Sequence, residues 1–289
     1  MINVSAIQMK MGENREANLD KAEAMVRKAA SDGAQIILLP ELFEGFYFCK
    51  DMDKKYFSWA REREGNPVIQ RFSLLAKELG VVLPISYFEK SAERYFNSLV
   101  VIDADGTVMD NYRKTHIPDG PGYEEKFYFE PGDTGFKVYD TAYAKIGIGI
   151  CWDQWFPETA RSLSLMGAEL IFFPTAIGSE PEIDVDSKDH WQLVQMGHAA
   201  ANMVPVVAAN RIGKEAGESC ALTFYGSSFM TDCTGKKIAE APRDKESIIT
   251  ASHNLRENSK LREYWALFKD RRPLQYSQIC AEDVKTGPF

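Results

Sequence analysis

The chain has 289 residues, of which 45% are hydrophobic and 26% are charged, so it can form a large buried core. Its formal net charge is -8, and no dense cluster of lysine and arginine occurs along it. This argues against nucleic-acid binding, because phosphate affinity requires clustered positive charge. No apolar run is as long as a membrane span, and residues 1–6 lack the pattern of a signal peptide. Neither a nucleic-acid partner nor a membrane partner is therefore expected.

The cysteines and histidines do not suggest a disulfide framework or a metal site. The five cysteines are odd in number, and no two of them have Cys-x-x-Cys spacing. This pattern favours a reducing compartment, so we expect a cytoplasmic protein. His190 and His198 lie eight residues apart, but no carboxylate or cysteine stands beside them at ligand spacing.

Strands and helices are predicted in alternation, with hairpins among them. Alternating apolar residues from Ile2 to Gln8 predict a first strand, and helical spacing over 14–30, ended by Gly33, predicts a first helix. The nearly continuous apolar run 34–41 predicts a strand that is covered on both faces. Further strands are predicted over 81–87, 96–103, 108–112, 144–151, 168–174, 204–209, 224–231 and 247–251, and further helices over 67–79, 157–166, 190–203 and 255–270.

This alternation is typical of an α/β layered fold with one or two mixed sheets covered by helices. No low-complexity linker, repeat or internal break divides the chain, so a single domain is expected over residues 1–270. The polar segment 271–289 is predicted to be a C-terminal tail that either wraps a neighbouring subunit or frays.

Cys151 stands where a predicted strand turns into a loop and then a helix. The carboxyl edge of a sheet is where α/β folds place their sites. A helix beginning near Phe156 is expected to point its amino end at the thiol and to favour the thiolate. A buried structural cysteine is the alternative. The preceding Gly147-x-Gly149 pattern does not predict a dinucleotide-binding loop, because Trp152 occupies the third glycine position.

Two charged residues also stand at the ends of predicted strands. Glu41 follows Pro40 at the end of its apolar run, and Lys114 follows the strand that ends at Tyr112. The alternative for Glu41 is a carboxylate that caps the next element. The alternative for Lys114 is a loop cation exposed to solvent. Acyl transfer requires a nucleophile, a proton shuttle and a partner for the developing oxyanion. Cys151, Glu41 and Lys114 are residue types that can supply these three groups.

Three segments together resemble the nitrilase superfamily of carbon–nitrogen hydrolases, in which a Glu, a Lys and a Cys occur in this order at strand ends. They are 38–41 (LLPE), 112–116 (YRKTH) and 149–153 (GICWD). The resemblance implies a four-layer α-β-β-α sandwich with two mixed sheets, and no cofactor. It also implies Cys151 as the nucleophile, Glu41 as the general base and Lys114 as the stabiliser of the tetrahedral intermediate.

The resemblance implies further groups at the site. Segment 122–127 matches the part of the family that holds a second glutamate, which aligns better with Glu125 than with Glu124. This glutamate either transfers protons or only positions Lys114 and the substrate. The backbone N–H of Trp152 is expected to be the second oxyanion donor, since the residue after a nucleophile at such a turn points its amide inward. Family members assemble into dimers or larger oligomers, so a homo-oligomer is expected.

Two features narrow the choice of substrate. Relatives that cleave carbamoyl amino acids carry an arginine shortly after the cysteine to hold the substrate carboxylate. Here Gln154 and Trp155 occupy those positions, which disfavours a substrate with a carboxylate. Glu180, with Tyr47 and Trp155 on other site loops, suits an ammonium at the end of an aliphatic chain.

A small cationic ureide is therefore the expected substrate. The segments around Tyr47 and Glu180 resemble those of superfamily members that hydrolyse N-carbamoylputrescine. That resemblance implies formation of putrescine, ammonia and carbon dioxide through a covalent carbamoyl-cysteine intermediate, as in polyamine biosynthesis.

Two alternatives are left open. One is another reaction of the same superfamily, carried out by a carbamoyl-amino-acid hydrolase, an aliphatic amidase or a nitrilase. The other is a catalytically silent sandwich that serves as a scaffold subunit. The presence of Glu41, Lys114 and Cys151 disfavours the silent alternative, because a silent member usually loses one of the three.

Overall fold

The computed structural model describes residues 1–218 and 220–281. The strands are β1 (Ile2–Gln8), β2 (Ile36–Leu38), β3 (Leu83–Ser91), β4 (Arg94–Ile102), β5 (Val108–Arg113), β6 (Lys137–Asp140), β7 (Lys145–Ile148), β8 (Leu170–Pro174), β9 (Val206–Ala209), β10 (Ile212–Ala216), β11 (Ala221–Tyr225), β12 (Phe229–Thr231), β13 (Lys237–Glu240) and β14 (Ser247–His253). The helices are α1 (Arg15–Ser31), α2 (Pro67–Leu79), α3 (Glu125–Tyr128), α4 (Pro157–Leu165), α5 (Lys188–Asn202) and α6 (Leu255–Trp265).

The first sheet contains six strands in the order β14, β1, β2, β3, β4 and β5. β1 pairs antiparallel with β14 and parallel with β2, while β4 pairs antiparallel with both β3 and β5. The two halves join beside β2, where Ile37 N donates to Val82 O at 3.0 Å and Val82 N donates to Gln35 O at 2.9 Å. The result is one mixed sheet.

The second sheet has the order β13, β12, β9, β8, β7 and β6. β7, β8 and β9 are parallel to one another. β6 pairs antiparallel with β7, and β12 pairs antiparallel with β9. β10 and β11 form a separate antiparallel hairpin. Both large sheets are therefore mixed, as the resemblance implied.

The two sheets pack face to face, and helices cover their outer faces. Val4, Leu38 and Leu99 of the first sheet share a buried core with Ile146 and Phe172 of the second. α1 and α2 pack on the outer face of the first sheet, and α4 and α5 pack on that of the second. The predicted four-layer α-β-β-α sandwich is confirmed.

Side-chain caps and a glycine set the ends of the first two long helices. Asn14 Oδ1 accepts a hydrogen bond from Ala17 N at 3.1 Å at the start of α1. Asn66 caps α2 in the same way, and Pro67 occupies its first position, where the missing N–H costs nothing. Gly80, with φ of 65°, ends α2 in the left-handed conformation. These two helix predictions are therefore confirmed to within one residue.

Several predicted elements are shorter or divided in the structure; the strand predicted over 144–151, for example, is reduced to β7. The strand predicted over 34–41 is reduced to β2, because the chain leaves the sheet before Pro40. The strand predicted over 224–231 is divided into β11 and β12 by Gly226 and Ser227, which have φ of 54° and 56°. The helix predicted over 255–270 ends at Trp265, since Ala266 has φ of 55°. Strands β6, β10 and β13 were not predicted, because each is only four or five residues long.

The C-terminal part of the described chain is exposed. Neither α6 nor the segment 271–281 contains a buried residue. Residues 282–289 of the predicted tail lie outside the described residues. Among the described helices, none has both the length and the apolar character needed to cross a membrane.

Candidate active site

Three segments that follow strands meet at one end of the sandwich. Glu41 lies beyond β2, Lys114 directly follows β5, and Cys151 lies beyond β7. β2 and β5 belong to the first sheet and β7 to the second, so the site lies where the ends of two packed sheets adjoin. This arrangement explains how residues 110 positions apart in the sequence come to lie near each other.

Lys114 is held between two carboxylates. Its Nζ donates to Glu41 Oε1 at 2.9 Å and to Glu125 Oε2 at 2.6 Å, and all three side chains are buried. Burial alone would lower the pKa of Lys114, but the charges of Glu125 and Glu41 raise it well above its ordinary value. The ammonium has three N–H donors. Only these two acceptors accept from it in the described part of the chain, which leaves one donor for a bound oxyanion.

Glu41 has one oxygen engaged and one oxygen free. Oε1 also accepts from Asn97 Nδ2 at 2.6 Å, whereas the buried Oε2 has no partner among the residues that the structure describes. The fully buried Arg211 fixes the backbone here, since its Nη2 donates to the carbonyls of Glu41 at 2.8 Å and Leu42 at 3.2 Å. Leu42 has φ of 48°, an unfavourable conformation for a residue other than glycine. Such a conformation persists only when surrounding contacts, such as those of Arg211, hold the backbone in place. The free oxygen can therefore serve as a fixed proton acceptor.

Cys151 begins a tight 3₁₀ turn that runs to Trp155. Its φ is 43°, which is unusual for a residue other than glycine. The Sγ atom lies 3.8 Å from the carbonyl oxygen of Ala176 at the end of β8. The charges of Glu41 and Lys114 both affect the pKa of the thiol, and Cys151 lines the same cavity as Glu125, which binds Lys114.

Burial and a neighbouring negative charge disfavour ionisation of the Cys151 thiol. Burial, and next the charge of Glu41, raises the pKa of Cys151 well above its ordinary value, and the charge of Lys114 opposes this shift. α4 begins at Pro157, close to the predicted position, so a contribution of its amino end to the thiolate stays a prediction, which burial and the charge of Glu41 oppose. Attack consequently requires a base, and the free oxygen of Glu41 is available for that role.

We expect the thiolate absorbance of Cys151 to be absent over the neutral pH range. The pKa is raised, so the thiol ionises only when the pH exceeds the ordinary cysteine range of about 8.5. The measurement is a pH titration of ultraviolet thiolate absorbance, taken as the difference between the native protein and Cys151→Ala. An ionisation step centred below neutral pH would contradict this prediction.

A cavity of about 310 Å³ opens over Cys151 and Glu125. Trp152 and Ile183 contribute apolar walls, and the carboxylates of Glu180 and Asp119 also line the cavity. No lysine or arginine is found among its described lining residues. The cavity is therefore negatively charged and large enough for a small organic molecule.

Comparisons with known proteins agree with this site. A family model described as carbon-nitrogen hydrolase matches residues 3–263. The chain belongs to the carbon–nitrogen hydrolase family. The predicted resemblance to the nitrilase superfamily is thereby confirmed.

Relatives of this carbon–nitrogen hydrolase match over nearly their whole length. The chain is 53% identical to a citrullinase of Francisella tularensis, with 96% of this chain and 98% of that protein covered. It is 51% identical to an N-carbamoylputrescine amidase of Arabidopsis thaliana, with 97% and 95% covered. A crystal structure of a carbon-nitrogen hydrolase from Helicobacter pylori G27 superposes with a TM-score of 0.91 at 35% identity, and covers 98% of this chain and 99% of that one.

Of the two candidates for the second glutamate, Glu125 is the one that contacts Lys114. It lies at the start of α3, and its Oε1 accepts a hydrogen bond from the hydroxyl of Tyr47 at 2.7 Å while Oε2 accepts from Lys114. Burial raises the pKa of Glu125, and the charge of Lys114 opposes the shift. The neighbouring Glu124 is only partly buried and contacts the site through neither oxygen within the described chain.

The three predicted substrate contacts have different positions. Glu180 and Trp155 line the cavity. Tyr47 is fully buried, does not line the cavity, and contacts Glu125 instead. Burial, and next the charge of Glu125, raises the pKa of Tyr47, so its hydroxyl remains a donor. The structure thus gives Tyr47 a contact with Glu125 and no position in the cavity wall, where the predicted contact with substrate would require it.

Sequence reasoning missed several polar groups of this site. Asn97, Arg211 and Asp153 are all fully buried and hydrogen-bond to the segments that carry Glu41 and Cys151. A polar residue directly after an aromatic pair in a mainly apolar strand, as Asn97 is in β4, was the available signal. No group of three or more potential ligands within residues 1–218 and 220–281 is placed to hold a metal ion.

Proposed function

We propose that this carbon–nitrogen hydrolase hydrolyses N-carbamoylputrescine to putrescine, ammonia and carbon dioxide. The observation that carries the proposal is the charge of the cavity, which is lined by Glu180 and Asp119 and by no described lysine or arginine. A substrate with a terminal ammonium gains favourable interactions there, whereas a substrate carboxylate would meet like charge. Four plant N-carbamoylputrescine amidases at 50–51% identity support the same substrate.

Citrulline is the second candidate, because the citrullinase of Francisella tularensis is 53% identical to this chain, slightly more than the plant amidases. Citrulline carries the same ureide and an ammonium, but also a carboxylate. The two positions after the nucleophile where related hydrolases have arginine hold Gln154, which is buried outside the cavity, and Trp155, which carries no positive charge. These features favour the ureide that lacks a carboxylate.

The reaction would proceed in two halves. Glu41 Oε2 accepts the thiol proton as Cys151 Sγ bonds to the ureide carbon, and the carbonyl oxygen becomes an oxyanion. Lys114 Nζ and the backbone N–H of Trp152 donate to that oxyanion; Trp152 lies in the first turn of the 3₁₀ segment, where N–H groups lack intrahelical partners. The carbon–nitrogen bond to the terminal nitrogen then breaks, and Glu41 returns the proton so that ammonia leaves.

The second half releases the acyl group. Glu41 removes a proton from water, whose oxygen bonds to the carbonyl carbon of the alkylcarbamoyl thioester, and the carbon–sulfur bond breaks as Cys151 regains its proton. The product is a carbamic acid, which decomposes to the amine and carbon dioxide. Glu125 touches both Lys114 and the cavity, so we propose that it holds Lys114 in place during both halves.

A direct product assay tests the proposed substrate. The purified protein is incubated separately with N-carbamoylputrescine, citrulline, butylurea and an aliphatic amide, and ammonia and amine products are quantified. We expect kcat/KM for N-carbamoylputrescine to exceed that for every other compound. A higher kcat/KM for citrulline would contradict the proposed substrate and make citrulline the better candidate. The proposed chemistry would be unchanged.

Replacing Glu180 by glutamine is expected to raise KM for N-carbamoylputrescine about tenfold, which corresponds to ~1.4 kcal/mol, with little change in kcat. The reason is that Glu180 is half-buried in the cavity wall and would lose its attraction for the substrate ammonium. Glu182→Gln is the matched control, because Glu182 is exposed on the same segment and does not line the cavity. Steady-state kinetics with butylurea, which has no ammonium, should be unaffected. An unchanged KM for the cationic ureide would exclude this role of Glu180.

We also propose a homo-oligomer in a reducing, cytoplasmic compartment. Support comes from exposed apolar side chains near the C-terminus, such as Tyr264, Trp265 and Leu274, and from the five cysteines, all of which are unpaired. In this proposal residues 1–270 form the single domain, and the tail 271–289 contributes to the subunit interface. Light scattering of the full chain and of a version that ends at Asp270 tests it, because loss of the tail should lower the oligomeric state.

A further inference from the structure

The carboxylate of Asp153 lies between two of the segments that form the site. It is fully buried and accepts four hydrogen bonds. Oδ2 accepts from Ile150 N at 2.9 Å and from the hydroxyl of Tyr112 at 2.7 Å. Oδ1 accepts from the backbone N of His116 at 3.0 Å and from its Nδ1 at 2.7 Å. These donors occupy both oxygens, so the carboxylate has no free face for substrate.

The donors come from both sides of the reacting centre. Ile150 immediately precedes the nucleophile, and Asp153 N also donates back to Ile150 O at 3.0 Å, which closes the turn that holds Cys151 at positive φ. Tyr112 and His116 flank Lys114 by two residues on either side. A single side chain therefore connects the turn of the nucleophile to the segment of the lysine, although the two belong to different sheets.

The chemistry of the donors keeps this connection in place. Burial, and next the charge of Asp153, raises the pKa of Tyr112 well above its ordinary range, so its hydroxyl stays protonated and donates. The ring of His116 stacks on Phe156 at 3.7 Å between centroids with an angle of 5° between planes, which fixes the orientation of Nδ1. The tautomer with the hydrogen on Nδ1 donates to this oxygen.

We propose that Asp153 is a positioning residue that sets the distance between the thiol of Cys151 and the ammonium of Lys114. It touches neither substrate nor the reacting atoms, because it is buried and does not line the cavity. It acts through the backbone of Ile150 on one side and through Tyr112 and His116 on the other. The inference rests on the proposed acyl-transfer chemistry but not on the choice of ureide.

Asp153→Asn tests this role with little change in side-chain shape. An asparagine has one acceptor oxygen, so its NH₂ group would face two of the four donors and break one side of the connection. We expect kcat to fall about 100-fold and KM to stay within about threefold, because misplacement of a reacting group by about 1 Å costs roughly this factor. The rate of alkylation of Cys151 by iodoacetamide, measured on the Cys151 peptide by mass spectrometry, should fall in parallel.

Glu89→Gln is the matched control. Glu89 is also a buried carboxylate that accepts from strands of the first sheet, including Arg113 next to Lys114, but it makes no bond to the nucleophile turn. Its replacement should lower the thermal midpoint while kcat stays within about threefold. An equal loss of kcat in Glu89→Gln and Asp153→Asn would reduce the role of Asp153 to general stability and overturn the proposal.

The two variants His116→Asn and His116→Phe keep the test decisive if Asp153→Asn does not fold. The amide nitrogen of asparagine can take the place of Nδ1 as the donor, so His116→Asn should retain kcat within about threefold. Phenylalanine keeps the stacking on Phe156 but has no donor, and His116→Phe should lower kcat about tenfold. Equal activity in the two variants would overturn the proposal. Because alkylation requires no ureide, a failure of the proposed substrate would leave this readout intact.

Discussion

Replacing Glu41 with glutamine is expected to lower kcat by about 10³-fold while KM stays within about threefold of the native value. Glutamine can keep its oxygen at the position of Oε1, where it still accepts from Lys114 and Asn97. Its NH₂ group then replaces Oε2, the oxygen that has no partner in the described chain. The shape of the site is retained and only the proton acceptor is lost, so the effect falls on the chemical steps.

The same variant is expected to lower the pKa of the Cys151 thiol, even though it also lowers the activity. The charge of Glu41 is, after burial, the largest cause that raises the pKa of the thiol. Its removal should therefore lower that pKa, and thiolate absorbance should appear at lower pH than in the native protein. A variant that was merely misfolded would lose activity without this shift. Native-like turnover, or an unshifted titration, would refute Glu41 as the base.

The three candidate catalytic residues were predictable because each of them stands at or just after the end of an element that sequence patterns detect. Glu41 and Cys151 close apolar runs, and Lys114 follows a strand defined by a hairpin signal. Such boundaries depend on neighbouring residues along the chain. The three family segments then linked the separate positions to one chemistry, which no single segment could have done.

The groups that hold the reacting residues were not predictable in the same way. Arg211 bonds to the carbonyl of Glu41 across 170 positions, and Asp153 bonds to Tyr112 across 41. Both contacts exist only because two sheets pack against each other, and a single sequence does not contain that information. The carboxylate of Asp153 lies only two residues from the nucleophile, yet its role depends on donors from the other sheet.

The protonation state of the thiol was also beyond local reasoning. A cysteine ahead of a helix favours a thiolate only if the thiol remains solvated or a cation dominates. In this fold Cys151 is 6% exposed and lies beside two carboxylates that share one lysine. Burial and the charge of Glu41 raise the pKa of the thiol, whereas the expected effect of the helix would lower it. Tyr47 illustrates the same limit, since an aromatic residue after Glu41 could face the cavity or the interior, and it faces Glu125.

Replacing Cys151 with alanine is expected to lower turnover by at least about 10⁴-fold, to the background rate of the assay. Without Sγ no thioester can form, and the buried position offers no other side chain that could attack the ureide carbon. In the native protein, acid quenching during turnover should trap a mass increase on the Cys151 peptide equal to the substrate minus ammonia. That adduct should be missing from Cys151→Ala, whereas substrate binding measured by calorimetry should be retained, because every other lining residue of the cavity is unchanged.

The control is Cys233→Ala, which removes another buried thiol that does not line the cavity. It should keep both the adduct and near-native turnover. Measurable turnover by Cys151→Ala above background would mean that water attacks the ureide directly. The paired charges of Glu41, Lys114 and Glu125 would then act on water rather than on a thiol, so this single substitution separates covalent catalysis from direct hydrolysis at the same site.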